Sequence, residues 1–307
     1  MNRYTYGPVP SRRLGFSLGI DIIPYKNCSF DCIYCQLGKT TNKTIEQKRY
    51  SPPDDIIKEV KDTLKLGKQI DYLTFSGSGE PTLHSEIGYL IKEIKQITEI
   101  PVAVLTNGSL LWIPEIAEQL LKADLILPTL CSASEETFRK INRPHNDLTV
   151  EKIIKGQSDF RKKFKGKIWL ELMLIKGMND TEEELEKLKT AIERIKPDRI
   201  DLNTVVRPPS EEYARPLSFS DLERIKKFFG GSCEIVVAFK KVKKTEELAD
   251  KENAILGLIK RRPVTLQDIC GALGLHQNEV IKCLEQLEQD KKIKLVIHQG
   301  LKYYEAL

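Results

Sequence analysis

The sequence predicts an α/β protein in which strands and helices alternate, followed by a small domain of helices and a hairpin. Short β-rich runs alternate with helix-length amphipathic segments from residue 16 to residue 238. A highly charged stretch at residues 240–247 then separates this region from residues 250–307, whose pattern differs. Because strands that alternate with helices are typical of parallel βα units, we expect a mostly parallel sheet in the larger region.

The predicted strands of the larger region are residues 16–23, 70–76, 101–106, 124–130, 167–175 and 199–205, with a short last strand at 233–238. Three of the predicted helices are residues 51–67, 84–98 and 149–164. Two more are recognised by their first residues: one begins at Pro114 and the other is capped by Ser134. The last two begin with a capping-box spacing, one at Asp180–Glu183 with its end at Lys196, and the other at Ser220–Glu223. Residues 1–15 are polar and turn-rich, which is consistent with either a surface arm or a substrate-binding arm.

Residues 250–307 are predicted to form three helices, at about 254–259, 266–273 and 277–290, and a hairpin of residues 292–297 and 301–305. Three helices with such a hairpin resemble a winged helix-turn-helix domain. We therefore expect two domains, 1–245 and 250–307. The second contains nine basic and eight acidic residues, whereas a DNA reader needs a basic face. A docking module for an RNA, protein or peptide substrate is the expected role.

The composition is that of an ordinary globular protein. The chain has 307 residues, of which 40% are hydrophobic and 30% charged, and a net charge of +5. This charge permits an anionic partner without requiring one. No apolar run has the length of a membrane span, and residues 1–13 lack the apolar core of a signal peptide. We therefore expect a cytoplasmic protein.

The chemistry centres on Cys28, Cys32 and Cys35, which have a C-x3-C-x2-C spacing. Three thiolates from one loop can converge on a single iron–sulfur cluster. A structural zinc site or buried core cysteines are alternatives, but zinc usually recruits a fourth ligand at a matching spacing, and no second C-x2-C occurs. Phe30 and Tyr34 lie between the cysteines and are expected either to shield a cluster or to belong to the core.

The cysteine motif, followed by Ser76-Gly77-Ser78-Gly79-Glu80-Pro81 after a predicted strand, resembles the radical S-adenosylmethionine (SAM) superfamily. The opening segment Gly7–Gly19 and the sequence Asn142-Arg143-Pro144-His145 are similar to a subgroup related to the wyosine-type tRNA-modifying enzymes. The resemblance covers about residues 3–240.

The resemblance implies an open (βα)6 partial barrel and one [4Fe–4S] cluster held by the three cysteines. The open iron would bind the amino and carboxylate groups of SAM, and one electron would cleave SAM to a 5′-deoxyadenosyl radical that abstracts hydrogen from a substrate. RNA, a peptide or a small molecule are the open possibilities for this substrate. A flavodoxin or a ferredoxin is the expected electron donor.

The resemblance also suggests residues that bind the cofactor. Gly77, Ser78, Gly79 and Glu80 match the methionine-binding motif, although Ser78 separates two glycines that are usually adjacent. Polar residues at strand ends are further candidates for contacts with SAM, and each has a turn or structural role as its alternative: Asn107, Ser132, Glu171 and Asn203. Arg207 is a candidate for the SAM carboxylate or an anionic substrate, with a solvated arginine as the alternative.

Cys131, at the end of the fourth strand, is the candidate catalytic residue. Its thiol could face the SAM pocket and give up a hydrogen atom, and a small buried residue is the alternative. Cys233, Cys270 and Cys283 are interpreted as core residues.

A different class of function is also consistent with the motifs. A cluster that senses redox state, combined with a winged helix that binds nucleic acid, would make a regulator. The glycine turn after the second strand favours the enzyme, because an iron–sulfur regulator has no need of a SAM-binding turn.

Overall fold

The computed structural model of the protein describes residues 4–236 and 251–307. The strands are β1 (Thr5–Ser11), β2 (Gly15–Ile20), β3 (Asn27–Cys28), β4 (Asn42–Lys43), β5 (Tyr72–Phe75), β6 (Val102–Thr106), β7 (Leu125–Leu130), β8 (Lys167–Leu174), β9 (Arg199–Thr204), β10 (Cys233–Ile235), β11 (Ile293–His298) and β12 (Leu301–Ala306). The helices are α1 (Pro53–Leu64), α2 (Ile87–Ile97), α3 (Pro114–Gln119), α4 (Glu135–Asn142), α5 (Val150–Lys163), α6 (Glu182–Ile195), α7 (Phe219–Phe229), α8 (Lys251–Ile259), α9 (Leu266–Leu273) and α10 (Gln277–Gln289).

One eight-stranded sheet organises the larger region, in the order β1-β2-β5-β6-β7-β8-β9-β10. Every neighbouring pair from β2 to β10 is parallel, and only β1 pairs with β2 antiparallel. Helices connect the successive parallel strands, so the expected mostly parallel α/β sheet is confirmed. The carboxyl ends of the parallel strands lie at one edge, where loops of parallel sheets build functional sites.

The amino-terminal residues differ from the expectation of an irregular arm. Residues 5–11 form β1, which pairs with β2 across a register shift between Tyr6 and Val9. Pro8 and Pro10 are typical of turns, and for this reason the sequence did not predict a strand here. Both are accommodated because β1 is an edge strand, where a residue without a backbone N–H disturbs less of the ladder.

The helix starts follow local capping chemistry. Thr265 caps α9, and the proline predicted at the first turn of α3 is confirmed. Two predicted capping boxes are displaced: Thr181 caps α6, and Ser218 with Asp221 caps α7. Ser134 precedes α4, but its hydroxyl donates to a carboxylate of α6 instead of accepting from its own helix. Displacements of one or two residues are common where several Ser, Thr or Asp residues adjoin.

The C-terminal unit, residues 251–307, contains three helices and the hairpin of β11 and β12. Its apolar core also includes Val9 of β1, so this core continues onto the larger region. The hairpin contacts the end of β9: the Tyr303 hydroxyl donates to the Val206 carbonyl at 2.7 Å, and the Gln299 amide donates to the Val205 carbonyl at 2.7 Å. The charged stretch predicted as a linker lies outside the described residues, as does the end of the last predicted strand.

None of the helices in the described ranges is both long enough and apolar enough to cross a bilayer.

Candidate active site

The cysteine motif lies in the loop between β2 and α1, at the carboxyl edge of the sheet. The three thiols are close enough to influence one another: burial first, and then the neighbouring Cys131, Cys28 and Cys35, raise the pKa of Cys32 well above its usual range. Burial also raises the pKa of Cys28 to about 12. Iron binding removes this obstacle, because a coordinating thiol is deprotonated by the metal charge.

Each of the three sulfurs accepts a hydrogen bond from a different side-chain nitrogen. The pairs are Asn107 Nδ2 with Cys28 Sγ at 3.5 Å, Asn142 Nδ2 with Cys32 Sγ at 3.4 Å, and Lys26 Nζ with Cys35 Sγ at 3.2 Å. N–H donors aimed at sulfur favour its anionic, metal-bound form and tune the potential of an iron–sulfur cluster. The donor set around the loop therefore fits a cluster held by these three thiolates.

Within the part of the chain that the structure describes, the cysteine loop does not form a site for a single metal ion. Across residues 4–236 and 251–307, no three His, Cys, Asp or Glu side chains converge closely enough to hold one metal ion. A cubane cluster holds its cysteine ligands farther apart than a single zinc ion does, so this finding bears on mononuclear sites alone.

The glycine turn after β5 is pressed against β2 and the cysteine loop. At Gly77, φ is +139°, and a Cβ would lie 2.3 Å from Cγ of Asp21. A Cβ at Gly79 would lie 2.3 Å from the Asn27 carbonyl oxygen. The Asp21 carboxylate accepts from the backbone N–H of Ser78 at 3.0 Å and from its hydroxyl at 2.6 Å. Both glycines are thus required by close approach, and Asp21 fixes the residue between them.

Glu80 is fully enclosed, and its carboxylate joins the turn to the end of β6. Oε1 accepts from the Thr82 N–H at 3.1 Å and from the hydroxyls of Thr82 and Thr106 at 2.6 Å each, while Oε2 accepts from the Asn107 N–H at 2.8 Å. Burial raises the pKa of Glu80, and these donors oppose that rise. The carboxylate is occupied by donors of the chain itself.

The other strand-end candidates are placed differently from one another. Asn107 lies beside the cysteine loop, where its amide also donates to the Ser29 hydroxyl at 2.8 Å. Ser132 is buried and donates to the Glu184 carboxylate of α6 at 2.9 Å. Arg207 donates to the Gln36 side chain at 3.4 Å, directly after the third cysteine. Asn107 and Arg207 therefore adjoin the cysteine loop, and Ser132 is engaged in packing α6 onto the sheet.

Glu171 and Asn203 lie on neighbouring strands and hydrogen bond to each other at 2.9 Å. Arg13, from the turn between β1 and β2, forms a salt bridge with Glu171 at 2.8 Å, and Arg12 donates to Asn203 at 3.1 Å. Burial alone would raise the pKa of Glu171, but Arg13 together with hydrogen bonds from Thr129 and Asn203 outweighs it, and the pKa lies below its usual range. The partner that burial of Glu171 requires is Arg13.

Replacing Arg13 with methionine is expected to lower the free energy of unfolding by about 3 kcal/mol at pH 7, because it strands a buried carboxylate. The folded pKa of Glu171 is depressed, so its contribution is present above the unfolded pKa, near 4.3, and is lost as the pH falls through the lower folded pKa. The difference between wild type and variant in urea unfolding should therefore shrink below about pH 4. Lys140→Met, which removes an exposed pair with Glu136, is the control and should change nothing measurable. A variant as stable as wild type at pH 7 would contradict a stabilising role for the pair.

Cys131 is buried beside the cysteine loop. Its thiol donates to the Tyr34 hydroxyl at 3.2 Å and accepts from Asn142 Nδ2 at 3.4 Å. The same amide reaches Cys32, so a single asparagine joins the two sulfurs. Tyr34 is partly buried at this position, whereas Phe30 packs edge-on against Phe138 in the core, with 5.5 Å between ring centroids.

Sequence reasoning missed several of the residues that shape the site. The sequence places Asn142 in a motif without indicating its role, and it gives no role to Lys26, Asp21 or Arg13. Asp21 directly follows β2, a strand-end position that could have marked it in the same way as Asn107. The sequence contains no comparable signal for Lys26, whose backbone is in the left-handed region with φ of +57°.

Comparison with known proteins agrees with this geometry. Residues 22–189 match the family model of the radical SAM superfamily, a range that includes the cysteine loop and the glycine turn. A protein of Brachyspira hyodysenteriae named GTPase Obg is 40% identical over 97% of this chain, but the chain spans only 44% of that protein. A UPF0026 protein of Methanocaldococcus jannaschii is 42% identical over 73% of this chain and 70% of its own length.

Solved structures show the same fold. A radical SAM methyltransferase from Sphaerobacter thermophilus superimposes with a TM-score of 0.55 at 15% identity, over 71% of this chain and 65% of that one. Radical SAM proteins use a [4Fe–4S] cluster together with SAM. The cysteine loop, the turn and the comparisons together lead to one conclusion: the chain belongs to the radical SAM superfamily and is an enzyme that uses these two cofactors.

Proposed function

We propose that this enzyme cleaves SAM reductively at a [4Fe–4S] cluster held by Cys28, Cys32 and Cys35, and that it uses the radical produced to remove a hydrogen atom from a substrate. The observation that carries the proposal is that each cysteine sulfur of one loop has its own N–H donor. When bound, the cluster and SAM supply the one-electron chemistry, and the protein supplies binding, orientation and electrostatics.

The residues of the chain then divide into two groups. Gly77, Ser78, Gly79 and Asn107 lie beside the cysteine loop and are proposed to contact SAM, largely through the backbone of the turn. Arg207 is proposed to face its carboxylate or an anionic substrate. The remaining candidates are engaged by partners of the chain and are proposed to position the site: Glu80, Ser132, Glu171 and Asn203.

The C-terminal unit supports an enzyme over a nucleic-acid-binding regulator. In a winged helix-turn-helix domain, the hairpin and the third helix would face nucleic acid. Here the hairpin packs against the larger region instead, because the side chains of Gln299 and Tyr303 donate hydrogen bonds to backbone carbonyls at the end of β9. We propose that residues 251–307 are a winged-helix domain that serves substrate docking within the enzyme, and that a flavodoxin or ferredoxin delivers the electron.

Production of 5′-deoxyadenosine tests the proposal. The protein is reconstituted anaerobically with iron and sulfide, reduced with dithionite, and given SAM. We expect 5′-deoxyadenosine and methionine to form in equal amounts, as measured by chromatography with mass detection. A protein that assembles the cluster and leaves SAM intact would contradict the proposal and favour the redox-sensing regulator.

Cys131 is proposed to donate its thiol hydrogen atom to the 5′-deoxyadenosyl radical in the assay without substrate, since the thiol lies within reach of the amide that also contacts Cys32. The S–H bond breaks, the C5′–H bond of 5′-deoxyadenosine forms, and the thiyl radical left on Cys131 is reduced to the thiol by the dithionite present. In deuterated water the exchangeable thiol carries deuterium, so 5′-deoxyadenosine formed by the wild type should contain one deuterium atom. In Cys131→Ala the label should disappear while total 5′-deoxyadenosine persists. Cys283→Ala, in the C-terminal unit, is the matched control and should retain the label. Equal labelling in Cys131→Ala would show that Cys131 is a buried core residue only.

A further inference from the structure

A large cleft lies between the larger region and the C-terminal unit, with a volume of about 990 Å³. One wall contains Ser78 of the glycine turn and Gln36, the residue after the third cysteine. The opposite wall is residues 259–263, at the end of α8, and part of the terminal hairpin. Its volume is at the upper end of the range for small-molecule sites. The cleft therefore borders the proposed SAM site and is large enough for a substrate.

The charged side chains that line this cleft have a net positive charge. Two acidic residues each face a basic one: Arg261 pairs with Asp21 at 3.5 Å, and Lys294 pairs with Glu305 at 3.4 Å. Two further basic side chains, Lys260 and Arg262, also line the cleft. Among the salt bridges formed within residues 4–236 and 251–307, neither takes part in one. The side chains of the cleft thus have a surplus of two positive charges, both on the C-terminal unit.

A further arginine, Arg207, lies behind the cleft. Burial, and then the nearby guanidinium groups of Arg262 and Arg12, lower the pKa of Arg207 well below its usual range, and Asp268 and Tyr303 oppose that shift. Arg207 donates to Gln36, which is itself part of the wall. Several arginines close to one wall create a positive potential that attracts an anion.

An aromatic ring completes the wall on the side of the cysteine loop. Tyr25 lines the cleft and is 54% exposed, although large aromatic rings are usually buried. Its hydroxyl donates to the Leu37 carbonyl at 2.5 Å, which anchors the ring. Leu37 is two residues after Cys35, and Glu305 of β12 lines the same cleft, so the ring is close to both the cysteine loop and the C-terminal unit. Exposed tyrosine rings of this kind stack with nucleobases.

We propose that the cleft binds a nucleotide, with the phosphate on Lys260 and Arg262 and the base against Tyr25. A phosphate monoester has a charge of about −1.5 to −2 near neutral pH, which matches the surplus of two positive charges. This inference rests on the proposed function, because it makes the nucleotide the substrate of that site. The same chemistry could be presented by a free nucleotide or by the 5′ end of an RNA.

Binding measurements can test the nucleotide without turnover. The cluster-loaded protein, without reductant and saturated with SAM so that the SAM site is filled, is titrated calorimetrically with adenosine 5′-monophosphate and with adenosine. A 5′-phosphorylated RNA of ten nucleotides and its dephosphorylated form are the second pair of probes. The phosphorylated member of at least one pair should bind at least tenfold more tightly. Preference within the first pair identifies a free nucleotide, and preference confined to the second pair identifies RNA.

Variants separate the contributions of charge and ring. The double variant Lys260→Gln/Arg262→Gln should lose the preference for phosphate, whereas Lys260→Arg/Arg262→Lys should retain it. The double variant Lys282→Gln/Lys302→Gln removes the same charge outside the cleft and should bind like wild type. Tyr25→Leu should weaken both members of a pair about equally. No phosphate preference in wild type, or a preference that survives Lys260→Gln/Arg262→Gln, would overturn the inference.

The nucleotide-binding test and the SAM-cleavage test can fail independently of each other. If wild type cleaves SAM to 5′-deoxyadenosine but shows no phosphate preference, the nucleotide inference is wrong and the radical SAM activity stands. If it binds the phosphorylated probe but does not cleave SAM, the site is a nucleotide site of a protein with another activity.

Discussion

The Cys32→Ala variant is expected to bind markedly less iron after reconstitution and to form 5′-deoxyadenosine only at background level. Removal of Cys32 leaves two thiolates in the loop and deprives the Asn142 amide of one of its two sulfur acceptors, the other being Cys131. With two ligands, a cubane has too few protein anchors to stay in place. The measurements are iron and sulfide content, absorbance near 400 nm, and the yield of 5′-deoxyadenosine.

Cys270→Ala is the matched control for this experiment. Cys270 lies on α9 in the C-terminal unit and packs against its apolar core, away from the loop. It should retain wild-type iron content and activity. If Cys32→Ala assembles a cluster that still cleaves SAM, the assignment of ligands to the C-x3-C-x2-C loop is wrong.

Glu80→Ala is expected to have the second large effect, on stability and on SAM affinity together. Four hydrogen bonds converge on this carboxylate, from the backbone and hydroxyl of Thr82, the hydroxyl of Thr106 and the backbone of Asn107. Without it, these donors are left buried and unsatisfied, which we expect to lower the free energy of unfolding by about 4 kcal/mol. Urea unfolding measures the loss, and equilibrium dialysis with SAM measures the affinity.

The decrease in the free energy of unfolding should depend on the hydrogen bonds of Glu80 and not on the size of its side chain. Glu80→Gln preserves the shape and one acceptor oxygen, and its stability should lie between those of wild type and Glu80→Ala. Glu118→Ala, on the exposed side of α3, should leave stability and SAM affinity unchanged. If Glu80→Ala is as stable as this control, the carboxylate does not hold the turn.

The sequence predicted the central part of the fold well, because its signals are local. The strands β2, β5, β6, β7, β8 and β9 are each a short apolar run followed by a turn, and this pattern is visible without any tertiary information. The strand β1 is not predicted by the sequence, because its prolines argue against a strand and are tolerated only at a sheet edge. Whether Thr5–Ser11 lies at an edge depends on the order of all the strands, which local sequence does not contain.

The site illustrates the same division. The cysteines and glycines are close in sequence, so their spacing identified them. The residues that support them come from distant segments: the amide donor to Cys32 comes from the end of α4, and the cation beside Glu171 comes from the turn after β1. Glu171 lies between Leu170 and Leu172 on a predicted strand, and a carboxylate buried there needs a partner, because burial of an unpaired carboxylate is costly. Its identity required the fold, and so did the cleft between the two regions.

Electron paramagnetic resonance of the reduced, reconstituted protein tests the central claim most directly. The dithionite-reduced sample is frozen with and without SAM, and the time between mixing and freezing is too short for turnover. If three thiolates of one loop hold a cubane with one iron open to SAM, the spectrum should be that of a reduced [4Fe–4S] cluster, and SAM should shift its g-values. A cluster whose signal is identical with and without SAM would contradict SAM binding at the open iron.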